Sequence, residues 1–548
     1  MKTAPLRCLA AAFLASLAVL AGCAVAPPAP AGRPRLVVLL VVDGLPQDQV
    51  TGYRDQLGPD GFNRFLQRGA WFADAHFGHA YTVTAAGHAT ILTGAYPHRT
   101  GIIGNEWRDP VTGEIVYCTG DAAHGYIGHD TPPLAGTSPR NLLAESLGDV
   151  LKRADARSKV IAVSGKDRGA ILPAGRAGTA YMYMARTGRF ASTTYYMKEH
   201  PAWVNAFNDA QPADRYFGAK WTPLLPEMAY ARSVPDGQPW FARGGALPKT
   251  MGEGQDGPGP EFYASLLASP FGDALTLDFA RAAVAGESLG ADEATDILSV
   301  SLSGHDYVNH AWGPESRMSH DHVLQIDNLL AAFFRDLDRR VGRDNYVAVL
   351  TADHGFMPVP EYSRSRGRDG GRQDAGATLA RLEAGLARRF GDGPWTRGWS
   401  AHGILLDRAL VAKRGIDARA LDDEAKRLLL AEPGVLAVFS RAELESDATP
   451  DVAFLGAVRN GWYRERSADL QVVLRAGWML TSYPTGTTHG SPHPYDTHVP
   501  ILFYGPKWVQ PGRRDARVEV VDIAPTLAGL LGVAAPSAAE GRPLPLAP

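Results

Sequence analysis

Seven consecutive apolar residues, Leu36-Val37-Val38-Leu39-Leu40-Val41-Val42, stop abruptly at Asp43-Gly44. No polar residue alternates with them, so neither face of the strand they form can meet water. Such a strand belongs in the middle of a sheet that is covered on both sides. Similar runs recur at Val160–Val163 ahead of Ser164-Gly165-Lys166, at Ile297–Leu302, at Tyr346–Leu350 ahead of Thr351-Ala352-Asp353, and at Ile501–Tyr504. Helical patterns lie between them. Ile326, Leu329, Leu330, Phe333, Phe334 and Leu337 fall on one stripe with charges between. Asp522-Ile523-Ala524-Pro525 opens another helix with Pro in its first turn. The expected fold is α/β, a mostly parallel central sheet flanked by helices. In such sheets the ligand site lies beyond the carboxyl ends of the strands. Asp43, Lys166, Asp306 and Asp353 each stand just past such an end, so one site can collect all four.

Two stretches break the rhythm. Residues from about 186 to 270 are rich in Gly, Pro, Trp and Tyr and read as an insertion covering one side of the site. Residues from about 361 to 479 open with the charged Ser363-Arg364-Ser365-Arg366-Gly367-Arg368. They continue as a helix near Ala377–Arg389 and a strand–helix–strand from Gly403 to Ser440, a small α+β subdomain. With 548 residues, 45% of them hydrophobic, there is material for one elaborated domain over 35–548. A net charge of −3 with no basic block gives no expectation of nucleic-acid binding. Nothing in the sequence fixes an oligomeric state, and a monomer is compatible with it.

The chemistry-bearing residues cluster by type. Thr82-Val83-Thr84-Ala85-Ala86-Gly87-His88 turns a loop into a helix, and its small residues leave room for a ligand. A helix start presents free N–H groups and positive dipole to an anion. By itself the same stretch reads first as a Thr N-cap on an ordinary buried helix, and it is the Asp and His clusters elsewhere that overturn this. Asp306 and His310 are four apart, on one helical face. Asp353-His354-Gly355 offers two adjacent ligands on a loop, Asp43 ends a strand, and His489 supplies another imidazole. Three carboxylates and three imidazoles with no thiolate suit zinc or a similar divalent ion.

With these motifs in order, the chain from Arg35 to Leu531 resembles the alkaline phosphatase superfamily. Within it, the resemblance is to the periplasmic threonine-nucleophile alkaline phosphatases, relatives of the nucleotide pyrophosphatase/phosphodiesterases. The resemblance implies two Zn2+ per chain, one held by Asp43, Thr84, Asp353 and His354, the other by Asp306, His310 and His489. It implies Thr84 as nucleophile, with Asn105, Lys166 and Arg168 holding the phosphoryl oxygens. The implied activity is metal-dependent hydrolysis of phosphate monoesters through a phosphothreonine. His88, His305, His493 and His498 are ligands by type alone, and supporting or packing roles are expected for all four.

The N-terminus also carries a resemblance. Lys2 and Arg7 precede the apolar run Cys8 to Ala21, which has signal-peptide proportions. It ends in Leu20-Ala21-Gly22-Cys23, similar to the lipobox of bacterial lipoproteins, and Ala24 matches the outer-membrane class. Residues 1–22 are then a signal peptide, Cys23 a lipid-bearing membrane anchor, and 23–34 a Pro/Ala-rich tether. The implied location is the periplasmic side, as an outer-membrane lipoprotein, with a soluble periplasmic protein as the alternative. Cys118 would stand alone, so no intramolecular disulfide is expected.

Three other readings compete. A sulfatase of the same superfamily needs Cys-x-Pro-x-Arg or its Ser equivalent, which Thr84-Ala85-Ala86-Gly87-His88 does not match. A phosphodiesterase or nucleotide pyrophosphatase is the nearer rival, and Lys166 and Arg168 weigh against it. A lipid-anchored binding protein without catalysis leaves the metal ligands and nucleophile unexplained.

Overall fold

In the computed structural model, which describes residues 32–447 and 452–546, the run Leu36–Val42 is strand β1, buried along its whole length. The other strands of its sheet are β2 (Ala70–Phe72), β3 (Val160–Ser164), β4 (Thr179–Met184), β5 (Arg189–Ala191), β6 (Asp296–Leu302), β7 (Tyr346–Thr351), β8 (Ile501–Tyr504) and β9 (Gly512–Arg514). The nine run in the order β9-β2-β8-β7-β1-β6-β3-β4-β5. The five central strands β7, β1, β6, β3 and β4 are parallel, as the unbroken apolar runs require.

The sheet is mostly parallel, as expected, and its outer part is mixed. β8 runs antiparallel to both β7 and β2, and β5 antiparallel to β4. The reason for β8 is its entry point. The loop carrying His489 to His498 already lies at the carboxyl edge of the sheet, so the chain must run back from that edge. Thr351, the last residue of β7, faces Ile501, the first of β8. β5 closes a hairpin with β4, so the stretch from 186 to 270 begins inside the sheet. Farther along that stretch, Trp221, Phe241 and Leu247 pack on Val308, Trp312 and Met318.

Five helices matter for the site: α1 (Thr84–Thr93), α2 (Asp167–Ala174), α3 (Gly304–Trp312), α4 (Arg317–Leu337) and α5 (Ile523–Leu531). α1 packs on α2 and α5, whereas α4 packs on α3 and on the helix Pro270–Gly286. The α4 stripe is buried at Ile326, Leu330, Phe333, Phe334 and Leu337, with Leu329 half-buried at its margin. Farther along, Thr396–Ser400, Gly403–Leu406, Leu470–Leu474 and Val435–Ser440 form a separate four-stranded sheet. It has its own apolar cluster around Leu386, Trp395 and Leu421. Cys118 is buried and forms no disulfide among the described residues. The leader, Cys8, Cys23 and nearly all of the tether lie outside the described residues. No helix among the described residues is long and apolar enough to cross a membrane.

α1 lies directly against the backbone that follows β7. A Cβ on Gly87 would stand 2.0 Å from the Asp353 carbonyl oxygen and 2.9 Å from its Cα. Backbone atoms cannot swing aside as a flexible side chain can, so the helix itself would have to move. Gly87→Ala is therefore expected to destabilise the protein by about 1–3 kcal/mol, the usual cost of overpacking. A denaturant titration reads this directly, and an unchanged midpoint would contradict the close approach.

Candidate active site

The sheet register sets the site. Val42 pairs with Leu302, Val41 with Thr351, and Ser301 with Ser164, so four parallel strands finish level. Asp43, Asp306, Asp353 and Lys166 follow these ends. Gly44 makes the first turn with φ of +70°, where a Cβ would also press on the Phe356 ring at 3.0 Å. Its N–H donates to Asp353 Oδ1 at 3.0 Å, and its carbonyl accepts from Asn309 Nδ2 at 3.0 Å. The Asp-Gly pair thus joins the ends of β1, β6 and β7.

The predicted ligands come together. His354 Nε2 lies 3.4 Å from Asp43 Oδ1, 3.6 Å from Asp353 Oδ2 and 4.0 Å from Asp306 Oδ1. His310 Nε2 and His489 Nε2 each lie 3.4 Å from Asp306 Oδ1. The His354 and His489 rings stack at 3.5 Å, so His354 stands between the two expected ligand sets. Each imidazole is oriented by the main chain. His354 Nδ1 meets the Gly355 carbonyl, His310 Nδ1 that of Thr487, and His489 Nδ1 that of Thr82, each at 2.9 Å. A carbonyl only accepts, so each Nδ1 carries a proton and each Nε2 is turned toward the cluster.

The electrostatics are those of crowded acids. Burial, then the neighbouring Asp353 carboxylate, push the Asp43 carboxyl up from its usual range. Burial works against Asp306 too, yet Lys166 and His310 beside it hold it well below that range. Burial would depress His354, but Asp353 and Asp43 raise it to about 9. His489 is depressed by burial and by His354 to about 3. Asp43 Oδ1, Asp306 Oδ1, Asp353 Oδ2 and His354 Nε2 are buried with no hydrogen-bond partner among the described residues. Ligand atoms of Asp43, Asp353 and His354 lie within 4.8 Å of one another, as do those of Asp306, His354 and His489. Buried lone pairs converging without donors are costly unless a cation meets them. The residues therefore fit a metal centre with nitrogen and oxygen donors.

Thr84 is the first residue of α1, and Val83, not Thr84, is its N-cap. The Thr84 side chain makes no hydrogen bond among the described residues, so capping does not account for it. The side chain of Asn105 is turned to the helix instead, its Oδ1 accepting from Ala85 N at 2.9 Å. His88 Nδ1 donates to the Thr84 carbonyl at 2.9 Å and lies 3.2 Å from Asp353 Oδ2. Lys166 Nζ sits between two expected metal ligands, 2.7 Å from Asp43 Oδ2 and 2.6 Å from Asp306 Oδ2. Arg168, at the start of α2, donates to Tyr117 Oη at 3.1 Å, and Tyr117 donates to Asp167 Oδ1 at 2.7 Å.

Other histidines take supporting places. His305 Nε2 meets Gln49 Oε1 at 2.7 Å, His493 Nε2 the Leu474 carbonyl at 2.9 Å, and His498 Nε2 the Ala73 carbonyl at 2.9 Å. Sequence reasoning missed Tyr117, which no motif marks, and Asp496. The Asp496 carboxylate accepts from Gly490 N, Ser491 N and Ser491 Oγ at 3.1, 2.8 and 2.6 Å and so shapes the loop behind His489. A lone Asp seven residues beyond His489 was the only signal for it.

Comparison with known proteins places this geometry. The type I phosphodiesterase / nucleotide pyrophosphatase family matches residues 37–496. The chain is 35% identical over 522 residues to alkaline phosphatase PafA of Elizabethkingia meningoseptica, covering 93% of this chain and 94% of that protein. It is 35% identical over 526 residues to alkaline phosphatase PhoV of Synechococcus elongatus, covering 94% and 93% respectively. The crystal structure of wild-type PafA aligns with a TM-score of 0.88 at 34% identity, covering 94% of this chain and 99% of that one. The sheet order, the level strand ends and these near-full-length matches agree: the chain belongs to the type I phosphodiesterase / nucleotide pyrophosphatase family of the alkaline phosphatase superfamily, and it is an alkaline phosphatase.

Proposed function

We propose that the enzyme hydrolyses phosphate monoesters through a phosphothreonine at Thr84 and releases inorganic phosphate. The observation that carries this reading is where Thr84 stands. It lies between Thr82, whose carbonyl orients His489, and His88, which touches Asp353. Its hydroxyl makes no hydrogen bond among the described residues, which leaves it uncommitted. The start of α1 adds N–H groups and positive dipole, which favour a phosphoryl anion.

Two Zn2+ ions are assigned, one to Asp43, Thr84, Asp353 and His354 and one to Asp306, His310 and His489. When bound, such ions would supply Lewis acidity, which would make a hydroxyl nucleophilic at neutral pH and stabilise charge on the departing oxygen. The chain's own residues supply the rest. Thr84 Oγ forms a bond to phosphorus as the ester P–O bond breaks; the Thr84 proton passes to solvent, and the departing oxygen takes one from solvent to leave as the alcohol. Water then attacks the phosphothreonine, freeing phosphate and restoring the hydroxyl. Arg168, held by Tyr117, presents a planar donor pair to the phosphoryl oxygens, and Lys166 supplies a compact positive charge beside Asp43 and Asp306. Asn105, with Oδ1 engaged by Ala85, turns its amide N–H groups toward the same anion.

Thr84→Ala should abolish turnover without unfolding the protein, and Thr84→Ser should retain activity. Mass spectrometry of acid-quenched enzyme should find phosphate on the peptide containing Thr84. Phosphate on another residue, or full activity in the alanine variant, would overturn the assignment.

Metal content tests the ligand set. Elemental analysis of the active enzyme should find at least two zinc ions per chain. Asp353→Asn should lose zinc, and its kcat/KM should fall by more than the roughly 10–100-fold typical of outer-shell partners. Full zinc content in that variant would remove Asp353 from the set.

Selectivity tests the cations. A phosphomonoester dianion has three non-bridging oxygens, whereas a diester has two and carries an organic group at the third position. Charge-assisted contacts contribute roughly 1.5–3 kcal/mol each. Replacing Lys166 and Arg168 together by Ala should therefore cost about 10²–10⁴ in kcat/KM for p-nitrophenyl phosphate, at about 1.4 kcal/mol per tenfold. The loss on bis-p-nitrophenyl phosphate should be much smaller. Equal losses on both esters would favour the phosphodiesterase reading that the family description also contains.

A further inference from the structure

Asp74, His76 and His498 form a second cluster that shares no side chain with the catalytic one. It lies where three chain segments are stitched together by their backbones. Phe77 N donates to the Thr497 carbonyl at 2.9 Å, Val499 N to that of Ala75 at 3.1 Å, and Val518 N to that of Asp74 at 2.9 Å. Ala75 and His76 pair in parallel with Val518 and Glu519. The main chain thus fixes where the three side chains start, before they make any contact. One ligand atom from each then lies within 4.8 Å of the other two.

The hydrogen bonds around the cluster fix where each ring carries its proton. His498 Nε2 meets the Ala73 carbonyl at 2.9 Å, so it carries the proton and Nδ1 is bare. His76 Nδ1 lies 3.0 Å from Thr497 Oγ1, and its Nε2 lies 2.9 Å from Asp74 Oδ1. A hydroxyl can donate or accept, so Thr497 serves either tautomer of His76. Oriented imidazoles beside a carboxylate are the donor set that zinc and similar ions take. Arg517 faces His76 and Asp48 faces His498, one charge of each sign. The Asp74 side chain is 45% exposed, which leaves water access to a further coordination position.

We propose that Asp74, His76 Nε2 and His498 Nδ1 bind a divalent ion of the zinc class at a structural site separate from the catalytic centre. On binding, the His76 proton moves from Nε2 to Nδ1, and the Thr497 hydroxyl turns from donor to acceptor. With a neutral ring no net proton leaves. Two ligand atoms on one tetrahedral zinc sit about 3.3 Å apart, given metal–ligand distances of roughly 2.0–2.1 Å. The 2.9 Å gap between His76 and Asp74 must open slightly, and the exposed Asp74 carboxylate is the group free to move. The ion would tie residues 73–76 to the segment that ends the His489 loop.

The test is a difference in zinc count. Full-length protein, stripped with a chelator, is dialysed against a series of Zn2+ concentrations alongside Asp74→Asn and His498→Gln variants, and bound zinc is measured by elemental analysis. The wild type should bind one more ion per chain than either variant, and Asp74→Asn should keep wild-type phosphatase activity. If His498→Gln fails to fold, Asp74→Asn decides the matter, because it alters only a half-exposed carboxylate. Equal zinc saturation in wild type and Asp74→Asn would overturn the proposal. An error in the catalytic two-ion assignment would change the absolute count in every protein but leave this difference intact.

Discussion

Three carboxylates, those of Asp43, Asp306 and Asp353, are buried together at one edge of the sheet. Like charges in a poorly solvated interior repel strongly. A fold that gathers them must also gather cations and donors. Lys166 answers for Asp43 and Asp306, His354 reaches all three, and the Gly44 N–H answers for Asp353. Even so, several carboxylate oxygens keep no hydrogen bond among the described residues. Stability alone does not select such an arrangement. The surrounding structure serves to hold these groups where they would not otherwise stay.

The register does most of the holding. Because four parallel strands end level, residues one to four positions past those ends are neighbours although they are hundreds apart in sequence. The antiparallel return of β8 adds to this, since it keeps the His489 loop at the same edge. Helix α1 is pressed against the Asp353 backbone at Gly87. Its position is therefore set by main-chain contact and does not depend on flexible side chains.

The sequence made some of this readable and hid the rest, for physical reasons. Unbroken apolar runs announce central strands, because burial on both faces leaves no room for alternation. Acids and imidazoles just past those runs announce a site, because parallel strands deliver their ends to one place. The direction of β8 was not readable, because an apolar run of four residues looks the same either way. Nor was the side-chain cap that Asn105 gives to Ala85, or the seat of Lys166 between two carboxylates. These depend on contacts 20 and 140 or fewer residues away that no local pattern records. Tyr117 and Asp496 were missed likewise, since each acts by holding a neighbour and carries no motif. His498 illustrates the converse. Its residue type drew attention, but its neighbours place it with Asp74 and His76 rather than with His489.

The three site imidazoles lean on carbonyl groups of Gly355, Thr487 and Thr82. Every amino acid, proline included, brings a carbonyl to its position. Genetic drift at these three positions therefore cannot delete the acceptor; it can only bend the loop that carries it. The tautomers of the site are inherited through the path of the backbone, which leaves the identities of those side chains free to change around them.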